Sequence, residues 1–278
     1  MNDRPFPNAH LLVGTDWLAD HLNDADLRLV EVTAPGAGYK FGHIFRAAYL
    51  NLDDVLTGTV TGVRRTVGPL DQVADVLGRL GLATDRQVVV YDEFGGTRAS
   101  QTFWLLEYLG CERVRFLEGG MERWLAEGRA TTSEPTDTAA TTFAPRVREE
   151  RLATADWIRA RLESADTCLL DTRSVDEYED GHIPGARHRS WDGTLTRRAH
   201  QEFRSSKELL AEFAELGASA DKEIVTYCAT GARSSHTYLT LRLLGYTRVR
   251  NYDGSWEEWG SRPELPKELH AKGETNHV

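Results

Sequence analysis

The chain carries two copies of one pattern, and this duplication restricts it to folds built from two like units. Gln87-Val88-Val89-Val90-Tyr91-Asp92 leads through Phe94–Ser100 to Leu109-Gly110. Glu223-Ile224-Val225-Thr226-Tyr227-Cys228 leads in the same way through Ala229–Ser235 to Leu244-Gly245. Asp16-Trp17-Leu18 pairs with Asp156-Trp157-Ile158, Gly42-His43-Ile44 with Gly181-His182-Ile183, and Leu80-Gly81 with Leu216-Gly217. Gly119 and Trp124 pair with Gly254 and Trp259. The separation narrows from 140 to 135 residues while the anchors keep their order. Duplication followed by small loop changes produces such a drift. A period this long means two domains rather than a solenoid, and 278 residues divide into two of roughly 140, near the usual size for one core. The Thr/Ala-rich run from Gly128 to Thr142 contains a proline and no apolar periodicity, so it reads as an exposed linker. The expected division is a first domain over 1–130, a linker over 131–147 and a second domain over 148–278.

Short apolar runs recur in pairs: Leu27–Val32 with Cys168–Asp171, Val88–Tyr91 with Ile224–Tyr227, and Val114–Leu117 with Val249–Tyr252. Their shortness and continuity suit strands covered on both faces. Helical patterns lie between them, including Leu70–Leu80, Lys207–Leu216, Thr102–Leu109 and Thr237–Leu244, each followed or closed by glycine. Strands alternating with helices predict an α/β fold with a mostly parallel sheet flanked by helices in each domain. In such sheets, sites form where strand C-termini meet helix N-termini. Cys228 and Asp92 both fall at that junction.

Composition excludes several classes. The chain is 40% hydrophobic and 27% charged, as in an ordinary globular protein. No run approaches the ~18 apolar residues of a membrane helix, and residues 1–7 lack the basic-then-apolar order of a secretory signal. A formal charge of −10 without a basic patch argues against a nucleic-acid partner. Cys111, Cys168 and Cys228 cannot all pair and form no C-x-x-C, which removes disulfide-scaffold and structural-zinc readings. No metal or organic cofactor is indicated, and the expected compartment is the cytoplasm.

Cys228 ends an apolar strand and is followed by the small residues Ala229, Thr230, Gly231 and Ala232, with Arg233-Ser234-Ser235 opening a helix. Small side chains let backbone N–H groups converge on one centre, and Gly231 can take the positive φ such a nest needs. The helix N-terminus and Arg233 add positive charge. A cysteine there is expected to be a better nucleophile than a free one, in a cradle able to hold an anionic substrate or a persulfide. Cys168, inside Thr167-Cys168-Leu169-Leu170, reads instead as an inert buried thiol, and Cys111 as a turn residue.

Gly181-His182-Ile183-Pro184-Gly185-Ala186, the Cys228–Ser235 loop and Asp253-Gly254-Ser255-Trp256-Glu257-Glu258-Trp259 together resemble the rhodanese family of sulfurtransferases. The resemblance covers both copies. It implies a tandem protein with an inactive first domain, since Asp92 replaces the cysteine, and a second domain in which Cys228 carries sulfane sulfur as a persulfide. The site it implies comprises Cys228 as catalytic residue and Ala229, Thr230, Gly231, Ala232, Arg233, Ser234 and Arg187 as donor-binding residues. Related phosphatases carry Cys-x5-Arg, whereas Cys228 to Arg233 is Cys-x4-Arg, a tighter loop that favours sulfur transfer. A non-catalytic binding module suits residues 1–130 taken alone. Within the family, neutral Ala229 and Thr230 point towards 3-mercaptopyruvate as donor, while Arg233-Ser234-Ser235-His236-Thr237 resembles thiosulfate enzymes. Thiosulfate is favoured, with cyanide or a thiol, such as a thioredoxin-like protein, as acceptor. Arg189, Arg64-Arg65, Tyr39, Phe41 and Phe94 are weaker candidates for lining the cleft. The resemblance makes Asp171 and Arg173 a structural brace, while the repetition of His182 and Trp259 as His43 and Trp124 makes them parts of the fold.

Overall fold

Two five-stranded sheets of the same topology account for the repeat. The computed structural model describes residues 6–34, 38–60, 63–93, 95–196, 200 and 202–269. The first half contains β1 (Leu12–Val13), α1 (Thr15–His21), β2 (Leu27–Val32), β3 (Ala47–Leu50), β4 (Gly58–Val60), β5 (Val63–Thr66), α2 (Leu70–Arg79), β6 (Gln87–Asp92), α3 (Thr97–Tyr108), β7 (Val114–Leu117) and α4 (Gly120–Ala126). The second contains β8 (Leu152–Ala153), α5 (Ala155–Arg159), β9 (Thr167–Asp171), α6 (Val175–Glu179), β10 (Arg187–His188), α7 (Ser206–Glu215), β11 (Glu223–Tyr227), α8 (Ala232–Leu243), β12 (Val249–Tyr252) and α9 (Ser255–Ser261). The sheet orders are β1-β7-β6-β2-β3 and β8-β12-β11-β9-β10, parallel throughout. Each is the other's image, strand for strand. Helices cover both faces, so the central strand β6 is buried along its whole length and reads as a continuous apolar run.

The copies differ in what precedes the helix leading to the central strand. The first inserts the antiparallel β4–β5 hairpin between β3 and α2. In the second, the described residues show one bridge, Leu195 to Phe203, in the corresponding stretch. Arg64 and Arg65 lie on this hairpin, and their side chains are outside the described residues, as is Phe94.

Helices α3 and α8 begin as soon as the special loops end, at Thr97 and Ala232, five residues earlier than the apolar pattern suggested. They pack against each other, and one continuous core runs from the first sheet through both helices to the second. Each is buried on nearly all sides, which explains why neither shows a clear apolar stripe. Polar groups inside this contact are paired: Glu107 of α3 accepts from Tyr238 Oη at 2.6 Å and from Arg242 Nε and Nη2 at 3.2 Å, both on α8.

The repeated residues behave as a control. His43 stacks on Tyr39 with ring centroids 3.7 Å apart and its Nδ1 lies 2.8 Å from the Tyr39 carbonyl oxygen. His182 does the same with Tyr178, at 3.7 Å and 3.0 Å. Trp124 and Trp259 each donate Nε1–H to a carbonyl a few residues on, that of Ala130 and that of Pro266. These pairs serve the fold in both halves. The segment 131–147 has almost no element of its own, yet it is pinned along the first half: Thr132 bridges His43, Thr141 bonds Gly78, Arg146 N–H donates to Leu109 O, and Phe143 is buried. Its backbone groups pair with loop and helix-end carbonyls that would otherwise lack partners. No helix among the described residues is long and apolar enough to cross a membrane.

Candidate active site

Cys228 stands at the C-terminal end of the central strand β11, one residue beyond Tyr227, and is buried. The start of α9 clamps its loop: Cys228 N–H donates to Ser255 Oγ at 3.2 Å, while the Cys228 and Ala229 carbonyls accept from Trp256 and Glu257 N–H, each at 3.0 Å. Gly231 opens α8 in the left-handed region at φ +86°, and a Cβ there would lie 3.0 Å from the Asp253 carbonyl oxygen. Backbone conformation and crowding both require glycine. The Gly231 carbonyl accepts from Ser235 Oγ at 2.7 Å, and Ser234 Oγ lies 2.6 Å from Asn251 Oδ1. The Ser234 hydroxyl is therefore engaged with the interior of the fold, leaving its amide as the group available to the loop.

The first half shows what this loop geometry holds. Gly96, also left-handed at φ +75°, opens α3. Asp92 Oδ1 accepts from Gly96 N–H at 2.9 Å, and Oδ2 accepts from Arg98 N–H at 3.0 Å and Ala99 N–H at 3.1 Å. A carboxylate built into the chain thus fills the nest at the helix N-terminus. Burial raises its pKa to about 6, against the pull of the three amides. Aligned on the two glycines, the same amides in the second half belong to Gly231, Arg233 and Ser234.

Arg233 reaches across to Glu177 on α6. Nη1 and Nη2 each lie 2.7 Å from a different Glu177 oxygen, a fork-to-fork pair. Glu177 first, and the Cys228 sulfur beside it, raise the Arg233 pKa above its ordinary value. The Arg233 hydrogen bond holds Glu177 at about 2, despite partial burial. Glu177 also closes a capping box with Ser174 at the start of α6, so its position is set from two sides. It was not among the residues singled out from sequence. At the 139-residue spacing of His43 and His182, Glu177 falls opposite Gly38, so like the cysteine it is present only in the second copy. That contrast was the available signal.

The remaining sequence candidates lie elsewhere. Arg187 is exposed on the edge strand β10 and lines a cavity with Cys168, Glu215 and Lys222 beside α7, away from the Cys228 loop. Arg189 is half-buried, paired with Glu212 at 2.6 Å and lying over the Phe213 ring. Phe41 is largely exposed, and Tyr39 belongs to its histidine stack. Asp171 and Arg173 form the expected brace: the carboxylate accepts from Arg173 N–H, Nε and Nη2, and Nη2 also donates to the Gly181 carbonyl at 2.6 Å. Burial pushes the thiols of Cys111 and Cys168 up to about 12 and about 11, which keeps both protonated and unreactive.

Comparison with known proteins agrees with this geometry. The Rhodanese-like domain signature matches residues 14–127 and 154–262. The chain is 35% identical to a thiosulfate sulfurtransferase of Azotobacter vinelandii, over 95% of this chain and 99% of that protein. It is 33% identical to the sulfur carrier protein TtuD of Thermus thermophilus, over 97% and 99%. Among solved structures, EanB in complex with ergothioneine matches with a TM-score of 0.84 at 26% identity, covering 94% of this chain and 70% of that one. With the domain present twice and a cysteine at the loop position in the second copy only, the chain belongs to the rhodanese family as a tandem enzyme of the sulfurtransferase class.

Proposed function

We propose that the protein transfers sulfane sulfur from thiosulfate to a thiol or cyanide through a persulfide on Cys228. The observation that carries this reading is the occupied nest of the first half. Three amides there hold the Asp92 carboxylate, so the corresponding amides of Gly231, Arg233 and Ser234 suit an anion borne on the side chain at position 228. A persulfide is such an anion.

The cycle has two balanced steps. The Cys228 thiolate attacks the outer sulfur of thiosulfate. A bond forms between Sγ and that sulfur, and the S–S bond of thiosulfate breaks with its electron pair leaving on sulfite. An acceptor then attacks the outer sulfur of the persulfide, the Sγ–S bond breaks, and the pair returns to Cys228 as thiolate. Cyanide leaves as thiocyanate; a thiol acceptor leaves as its own persulfide after losing its proton. Loop amides stabilise the charge on the terminal sulfur, and Arg233 attracts the donor's anionic head.

Two relatives named thiosulfate sulfurtransferase, at 35% and 32% identity, support thiosulfate as donor. The TtuD name favours a protein or thiol acceptor over cyanide. One observation favours 3-mercaptopyruvate as the second reading: the Glu177 fork offsets the Arg233 charge, which suits a monoanion better than a dianion. Measuring kcat/KM for both donors, with Cys228→Ser and Arg233→Ala beside wild type, tests the proposal. Thiosulfate should be turned over with thiocyanate formed from cyanide, and Cys228→Ser should be inactive. Retained activity in Cys228→Ser would overturn the mechanism, and a strong preference for mercaptopyruvate would overturn the donor.

A further inference from the structure

Asp253 joins the inactive domain to the cysteine loop. It follows β12 and is buried. Its Oδ2 accepts from the backbone N–H of Val67, just beyond β5 in the first domain, at 2.7 Å. Its Oδ1 is buried without a hydrogen-bond partner and faces Gly231, lying 3.3 Å from where a Cβ would stand there. Gly231 is three residues from Cys228 and supplies one of the amides assigned to the nest. Asp253, Thr66, Val67, Tyr108 and Glu258 also line a cavity of about 290 Å³ between the two domains.

We propose that Asp253 is a positioning residue of the sulfur-transfer loop: anchored on the first domain through Val67, it sets by its own charge how readily the loop admits anions. The inference rests on Cys228 as the reacting group of that site.

An ionised carboxylate behind Gly231 opposes any second negative charge gathered by the loop amides, and a protonated one does not. Burial raises the Asp253 pKa to about 7, the Val67 amide lowers it and Glu258 raises it further. The ionisable groups packed around it are Glu258 of α9, Tyr252 at the end of β12 and Tyr108 of α3. Arg233 of α8, two residues beyond Gly231, is forked to Glu177. Both tyrosines stay neutral, because burial raises both above their ordinary value, so neither adds to nor offsets the carboxylate charge. The loop should therefore admit anions best below neutrality and less well above it.

Alkylation of Cys228 by iodoacetate and by iodoacetamide, followed by mass spectrometry on the full chain, tests this without requiring turnover. The two reagents differ in charge, so the ratio of their rates cancels the ionisation of the thiol. In wild type the iodoacetate-to-iodoacetamide ratio should fall about tenfold between pH 6 and pH 8. In Asp253→Asn, which keeps an acceptor for Val67, the ratio should stay level within about twofold. Glu258→Gln keeps Asp253 and should move the midpoint down by roughly one pH unit. A level ratio in wild type, an unchanged fall in Asp253→Asn, or an unmoved midpoint in Glu258→Gln would each overturn the inference. Failure of sulfur transfer itself would appear separately, as thiosulfate–cyanide activity surviving Cys228→Ser.

Discussion

Arg233 and Glu177 meet fork to fork beside the Cys228 sulfur, with Nη1 and Nη2 each 2.7 Å from its own carboxylate oxygen. The arginine that the sequence offered as a source of positive charge is thus held at a fixed angle, and part of its charge is offset. A bidentate pair of this kind cannot be replaced by lysine without loss of geometry. Arg233→Lys should lower kcat/KM for thiosulfate about tenfold, and Arg233→Ala further. Glu177→Gln should act in the opposite direction, lowering KM severalfold, because it removes a negative charge while keeping the cap on α6. Steady-state kinetics of the three variants check the order, and a higher KM in Glu177→Gln would contradict it.

The nest that Asp92 fills should be both necessary to the first domain and closed to chemistry. Asp92→Asn turns an amide NH2 towards backbone donors in place of one oxygen, and should cost about 1–3 kcal/mol in urea unfolding. Asp92→Cys in a Cys228→Ser background should show no sulfur transfer. Gly38 stands where the second copy has Glu177, and Gly96 packs within reach of Phe116 and His236. Measurable thiocyanate production by that double variant would show that the loop alone suffices.

His236 should govern acid sensitivity. It lies on α8 between Phe203, Phe116 and Trp191, and burial pushes its pKa down to about 3. The unfolded chain therefore takes up a proton near pH 6.5 that the folded chain refuses until near pH 3. Stability from this group is complete above about 6.5 and is lost as pH falls, at up to ~1.4 kcal/mol per pH unit. Urea unfolding at pH 6.5 and pH 4.5 should show a smaller drop for His236→Gln than for wild type.

The two halves should unfold as a unit joined through Glu107. It is the carboxylate partner of Tyr238 and Arg242 across the α3–α8 contact, with Glu107 and Arg242 side chains 9% and 13% exposed. Glu107→Ala leaves a buried guanidinium unpaired and should cost about 3 kcal/mol. Two separated thermal transitions in this variant, against one in wild type, would locate the loss at the interface.

Much of the site was legible because the chain carries its own comparison. Cys228 stood out against Asp92. His182 and Trp259 were set aside because His43 and Trp124 repeat them. Glu177 was legible in principle, opposite Gly38, but three-residue helix caps such as Ser174-x-x-Glu177 are common enough to pass as purely local structure. Arg187 shows where motif and placement diverge. It follows a family motif in sequence, yet β10 is an edge strand whose outward side chain lies beside Cys168. Short edge strands such as β1, β8 and β10, two residues each, left no periodic signal at all.

The amino-acid sequence by itself determined the duplication, the α/β class and the position of the thiol at a strand-to-helix turn, because each depends on local pattern and on spacing along the chain. Only the tertiary structure decided which charges meet there. Glu177 is 56 residues from Arg233, and Val67 is 186 residues from Asp253. The first contact arises from how α8 docks against α6, the second from how the end of β12 meets the first domain. Electrostatic partners are chosen by distance through space, which a linear pattern does not encode.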